Sequence, residues 1–260
     1  MDVRALPPGY TEWPAPAALG DAVACLWAQV TPEGGSRAGL VLPDGCTDLV
    51  WEQGRGAYVA GPDTGPVATT MAAGTVILGA RFRPSAGGPA LGIPLSELRD
   101  QRADLADLRP AEARRLDAAL DPEVAAARVL DVTAALVADG APDPAVTWAA
   151  RLLRDPSARA EDVAAEVGLS LRQLRRRCQA VVGYGPKTLQ RVLRFRGFVS
   201  RVDARPMVLD LAAIAAEAGY ADQAHLTREC GGLSGLTPAA LVRLRGLSNH
   251  EMPLISRMTV

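Results

Sequence analysis

The sequence predicts an α+β chain in two parts. Residues 1–140 read as a β-rich domain, barrel or cupin-like, with trailing helices. Residues 141–246 read as an all-α domain with two helix-turn-helix units joined by a long helix, and 247–260 as a loose tail. Three observations predict this. Between residues 22 and 82, short β-branched and aromatic runs alternate with turns rich in Gly and Pro. Beyond Pro94 the apolar residues recur at helical spacing. Finally, one supersecondary pattern occurs twice between residues 163 and 238.

Taken in order, residues 1–20 are rich in Pro and Ala and are expected to be irregular, with Trp13 packed on the domain behind. Strands are predicted over Ala22–Val30 with Trp27 buried, then Leu40–Leu42, Thr47–Trp51, Ala57–Ala60, Val67–Met71 and Thr75–Phe82. Pro32–Gly35 and Gly54–Gly56 supply turns between them. Leu95, Leu98, Leu105 and Leu108 mark a helical stretch broken near Gln101. Helices follow over Pro110–Leu120 and Pro122–Ala138, each opening on a proline whose missing N–H costs nothing in the first turn. Asp121 and Asp143 are placed as N-caps. Gly140–Pro144 is the expected domain boundary, and Pro144–Leu153 the first helix beyond it.

The repeat begins with Val163-Ala164-Ala165-Glu166-Val167-Gly168-Leu169, which returns 51 residues later as Ile214-Ala215-Ala216-Glu217-Ala218-Gly219-Tyr220. Gly183-Tyr184-Gly185-Pro186 returns as Gly235-Leu236-Thr237-Pro238 at an offset of 52, so one extra residue belongs in the second turn. In the first copy Gly168 ends one helix, since glycine adopts positive φ cheaply, and Ser170 caps the next. There Leu171, Leu174, Cys178 and Val181 form one face, while Arg172, Arg175, Arg176 and Gln179 form the opposite one. A helix that buries its aliphatic side and turns three guanidiniums outward suits a DNA major groove. A merely solvated charged face is the competing reading. Pro186–Val202 should join the copies. Its Lys187, Arg191, Arg194 and Arg201 share one face, read as a solvated surface except for Lys187, which sits by a helix N-terminus where phosphates bind.

Charge divides along the chain. Residues 151–260 hold 17 basic and 10 acidic residues, a balance of +7, against 11 and 19 in residues 1–150, a balance of −8. A basic half beside an acidic half is expected of a nucleic-acid-binding domain joined to something else. No run of 18 apolar residues suggests a membrane span, and MDVRALPPGY does not read as a signal peptide. Four scattered cysteines without a CxxC suggest free thiols in a reducing cytoplasm, and two histidines argue against a zinc site. No metal, cofactor or catalytic constellation is expected.

The segment Gly219-Tyr220-Ala221-Asp222-Gln223-Ala224-His225-Leu226-Thr227-Arg228, followed by Gly235-Leu236-Thr237-Pro238, resembles the signature of the AraC/XylS family of bacterial transcription regulators. The resemblance covers residues 144–246, with Cys178 and Cys230 where that family usually has Phe. It implies a sequence-specific DNA-binding regulator, not an enzyme, acting on double-stranded DNA and in contact with RNA polymerase. It points to Arg172, Arg175, Arg176, Gln179 and Lys187 in the first unit and Gln223, Thr227 and Arg228 in the second. The second unit should be the weaker reader: it has one arginine where the first has three, Glu229 adds negative charge, and Gly231-Gly232 weakens its helix. His225 reads as partly packed. A repair-methyltransferase fusion and an interaction module without DNA binding are the rival classes.

The stretches Leu42–Leu49 and Gly79–Pro84 resemble a largely uncharacterised domain found before AraC-type domains. In the wider family this half often binds a small effector or forms a homodimer. Trp27, Asp48, Trp51, Arg81 and Arg83 are the candidate ligand residues, with the arginines holding an anion and Trp27 or Trp51 as an apolar wall. A structural Asp48–Arg81 ion pair is the alternative. Asp44 and Asp48 argue against Cys46 as a redox thiol.

Overall fold

The computed structural model describes residues 6–204 and 210–247. Its strands are β1 Gly9–Pro14, β2 Val23–Val30, β3 Arg37–Val41, β4 Thr47–Glu52, β5 Gly56–Ala60, β6 Val67–Met71, β7 Val76–Phe82 and β8 Arg102–Asp104. Six form one antiparallel sheet in the order β1-β2-β7-β4-β5-β8, and β3 pairs with β6 in a separate ribbon. Successive side chains on a strand point to opposite faces. One face of the sheet therefore gathers Leu26, Leu49, Trp51, Leu78 and Phe82. Helices α3 (Pro110–Asp117) and α4 (Pro122–Asp139) cover it with Leu116, Val129, Val132 and Leu136. The other face gathers Cys25, Trp27, Val50, Tyr58 and Ile77 and packs against Val41 and Met71 of the ribbon. Trp27 lies across Gly79, where an added Cβ would stand 2.3 Å from the indole, so only glycine fits.

Three expectations fail in this half. β1 lies in the stretch read as irregular, because its six residues pair in register with β2 despite the prolines around them. The stretch from Leu95 to Leu108 is not one broken helix: it holds a 3-10 turn (Leu95–Glu97), β8 and α2 (Leu105–Leu108), with β8 added to the edge of β5, and the short α1 (Gly87–Leu91) precedes it. The α3 helix also stops at Asp117, leaving Leu120 88% exposed. Asp121 and Asp143 cap as expected, accepting from Glu123 N and from Ala145 N and Val146 N.

The helical half runs α5 Pro144–Leu152, α6 Ala160–Glu166, α7 Leu171–Val182, α8 Pro186–Ala204, α9 Leu211–Glu217, α10 Gln223–Ser234 and α11 Pro238–Leu247. The α8 helix is its spine. Leu189, Val192, Phe195, Phe198 and Val199 are fully buried and join Val163, Leu174 and Cys178 on one side to Ile214, Leu226 and Cys230 on the other. Each such phenylalanine contributes roughly 1.5–3 kcal/mol over an exposed one. Both repeats therefore share one core. The tail predicted at 247–260 lies, beyond Leu247, outside the described residues.

The two copies are built alike. After α6, Gly168 has φ 71°, and Leu169 N donates to Ala164 O at 2.8 Å. After α9, Gly219 has φ 82°, and Tyr220 N donates to Ala215 O at 2.9 Å. Ser170 then caps α7 through Gln173 N, and Asp222 caps α10 through His225 N. The glycines are 51 apart and the caps 52, so the extra residue sits in the second turn. At Gly219 a side chain would also collide with Pro156, at 2.2 Å from its Cγ.

The halves are docked. Leu42, from the loop before β4, is buried in the helical core, and Arg99 Nε donates to Gly183 O at 2.8 Å at the end of α7. Gly88 of α1 lies so close to Ala180 O that a Cβ there would approach within 2.7 Å.

Candidate nucleic-acid interface

Helix α7 is held from behind and open in front. Its Ser170 cap is reciprocal: Gln173 N donates to Ser170 Oγ, and Gln173 Oε1 accepts from Ser170 N at 2.8 Å. Leu174, Cys178, Val181 and Val182 are buried. Arg172, Arg175, Arg176 and Gln179 are exposed, and among the described residues none of these arginines has a carboxylate partner. Arg177, the neighbour outside that i, i+3, i+4, i+7 set, pairs instead with Asp143 at 3.3 Å and ties α7 to the start of α5. The helix thus divides its arginines: one fastens it, and three stand toward solvent on one side. Lys187 is exposed in the first turn of α8, just past the Gly183–Pro186 turn.

Helix α10 offers less. At the offset of 52, the positions matching Arg172, Arg175, Arg176 and Gln179 are Ala224, Thr227, Arg228 and Gly231. Gln223, Thr227 and Arg228 are exposed, but the Thr227 hydroxyl is already donated to Gln223 O at 2.8 Å. His225 is half-buried; it packs edge-on to Tyr220 at 5.2 Å between ring centroids, and its Nε2 lies 3.4 Å from Glu229. The paired glycines do not end the helix, which continues to Ser234 and closes on Gly235 at φ 70°.

The negative charge expected from Glu229 is not free on α10: the carboxylate is buried, 2.7 Å from Arg194 Nη2 and 3.2 Å from Arg191 Nε. Arg194 also lies over the Tyr220 ring at 5.2 Å. Burial pushes the Glu229 carboxyl up, but the Arg194 hydrogen bonds and the Arg194 and Arg191 charges outweigh it and hold it below its ordinary value. Arg194, with Arg191 beside it, is therefore part of the seam onto the second unit and not a solvated surface, while Lys187 on the same helix stays exposed. Its Arg201 approaches Glu217 of α9 at 3.8 Å.

The candidate ligand residues do not form one site. Trp27, Asp48 and Arg81 come together on the ribbon-facing side of the sheet. Trp27 Nε1 donates to Asp48 Oδ1 at 2.8 Å, and Arg81 lies 3.1 Å from Asp48, 3.3 Å from Asp44 and 3.1 Å from Glu12. Three carboxylates around one buried guanidinium make an ion network that is already satisfied. Burial, opposed by Arg81 and reinforced by Asp44, raises the Asp48 carboxyl to about 6. Trp51 is three residues from Asp48, an odd step, and so lies on the opposite, helix-covered face, unable to wall the same site. Arg83 follows the end of β7, donates to Gly20 O at 2.8 Å and is exposed. There it meets Arg151, Arg154 and Arg196, which sequence reasoning passed over, around a cleft of about 280 Å³ between the halves. The i, i+3 spacing of Arg151 and Arg154 was visible in the sequence; the partner surface was not. The thiols of Cys25 and Cys178 are pushed up to about 12 by burial, and all four cysteines are free and buried.

Residues 163–243 match a family described as a helix-turn-helix domain, and residues 11–104 match a domain of unknown function, DUF6597. No protein of curated function matches the chain. Among solved structures, the chain is similar to ToxT from Vibrio cholerae in several forms. An apo variant from strain SCE256 is 10% identical, covering 84% of this chain and 96% of that one, with a TM-score of 0.45. ToxT from strain O395 is 9% identical over 91% and 96%, at 0.42, and a form bound to an unsaturated fatty acid is 9% identical over 84% and 93%, at 0.40. Among the described residues, no helix is long and apolar enough to cross a membrane.

Proposed function

We propose that this chain is a DNA-binding transcription regulator of AraC type, a reading supported by the match of residues 163–243 to a helix-turn-helix domain, and that α7 and α10 enter successive major-groove segments on one face of an operator, with α7 as the main reader. The observation that carries this is the α7 surface: Arg172, Arg175, Arg176 and Gln179 exposed together, without carboxylate partners among the described residues. Arginine forks suit guanine O6/N7, the commonest specific contact. Gln223 and Arg228 give α10 a smaller share, with Thr227 committed in part to its own helix. Lys187 contacts phosphate at the start of α8. Division of labour falls near residue 140, and the N-terminal half responds to a small effector. Its docking supports this, since Leu42, Arg99 and Gly88 all bear on the helical half. The inert, buried cysteines weigh against a methyltransferase fusion, which needs clustered reactive thiols.

The test is selection of bound sites from random DNA, followed by footprinting. One chain should protect two short boxes separated by about one helical turn, roughly 34 Å. A single protected box, or no enrichment over random sequence, contradicts the proposal.

A further inference from the structure

We infer that the cleft between the two halves is a binding site for a small polyvalent anion, a free metabolite carrying carboxylate or phosphate groups. Its walls come from both sides of the seam. Gly20, Asp21, Arg83 and Ser85 belong to the N-terminal half, while Arg151 comes from α5, Arg154 from the turn just after it and Arg196 from α8. Four guanidiniums thus face one carboxylate. Among the described residues, Arg83, Arg151 and Arg154 pair with no carboxylate, and Asp21 pairs with none of them. The guanidiniums lie close enough to act on one another: burial first, then the charges of Arg196 and Arg83, lower the proton affinity of Arg154. Charges gathered in a concave, partly desolvated space attract an opposite charge, and planar guanidinium forks fit carboxylate and phosphate oxygens in pairs.

The cleft, about 280 Å³ and open to solvent on one side, has room for a di- or tricarboxylate or a phosphate ester. Pro84, Ala150 and Leu193 supply the apolar part of the lining. An occupant would bridge Arg83 on one half to Arg154 and Arg196 on the other, and so favour one arrangement of the halves. By linkage, operator affinity then changes as far as the anion prefers that arrangement. The binding site stands independently of the regulator reading; its effect on operator affinity rests on it.

The experiment uses the full chain, with citrate and pyrophosphate as probes at ionic strength held constant by potassium chloride. Calorimetric titration should show at least one probe binding below millimolar concentration, and Arg83→Gln and Arg154→Gln should each weaken it about tenfold or more. No binding at millimolar concentration, or equal binding by both variants, overturns the inference. In a second arm, the bound probe should change affinity for the selected operator about fivefold or more in the wild-type chain and not in Arg83→Gln. If Arg83→Gln instead weakens operator binding without any probe and lowers the salt slope by about one, the arginine serves DNA phosphate and the inference falls. If the wild-type chain binds no DNA at all, the regulator reading fails, and the calorimetric arm alone decides the site.

Discussion

Replacing Glu229 with alanine should damage the second helix-turn-helix unit without removing any DNA-facing group. The side chain is 9% exposed, and its main partner Arg194 is 12% exposed. Removing one member of a buried ion pair strands the other and costs about 3–5 kcal/mol. Arg191, the second partner, is 42% exposed and adds at most about 1 kcal/mol. The expected loss is therefore about 3 kcal/mol, the low end for a buried pair, because Arg194 keeps its place over the Tyr220 ring. The assay is amide hydrogen exchange along α8 and α10. There a 3 kcal/mol loss reads as roughly a hundredfold fall in protection. The double variant Arg194→Met/Glu229→Met should recover much of it, since no charge is then left stranded. The carboxyl is held below its ordinary 4.5, so the clamp contributes fully above that pH and is lost as acid titrates it. Protection in Glu229→Ala within about 0.5 kcal/mol of wild type, the usual range for a surface change, would refute the reasoning.

Further outcomes are expected. Arg81→Met should cost about 3–5 kcal/mol by leaving Glu12, Asp44 and Asp48 facing one another, as read by chemical denaturation of the tryptophan-rich N-terminal half. Asp48→Asn should be neutral or stabilising at pH 7. The folded Asp48 holds its proton up to about 6 against 3.8 ordinarily, so its contribution to stability declines as pH rises through that window, and the asparagine variant should lack that slope. Lys187→Ala should weaken specific and random DNA alike and lower the salt slope by about one; a loss confined to the specific site would make it a base reader.

The repeat was the most legible part of the chain, because it is written in local chemistry. Gly168 and Gly219 need positive φ, Ser170 and Asp222 sit at the caps, and these requirements depend only on neighbours in sequence. β1 was not legible, since Pro-rich composition masks a strand whose stability comes from pairing with β2. The pairing of Glu229 was missed for a similar reason. Helical spacing grouped Arg191 with Arg194, but nothing local says that α10 covers that face from 35 to 38 residues away. Trp51 was an avoidable error: the odd step from Asp48 already assigned it to the other face of β4. The cleft around Arg83 lay beyond sequence reasoning, because it exists only where the two halves meet.

The central claim is that α7 does most of the reading. It is tested most directly by two triple alanine variants, at Arg172, Arg175 and Arg176 and at Gln223, Thr227 and Arg228, titrated on the selected operator and on random DNA at one salt concentration. The first triple should abolish most discrimination, at about 1–3 kcal/mol for each bidentate arginine–guanine pair removed, while the second keeps most of it. If the second triple loses as much specific binding as the first, or if the first loses equally on both DNAs, the assignment of α7 as principal reader is wrong.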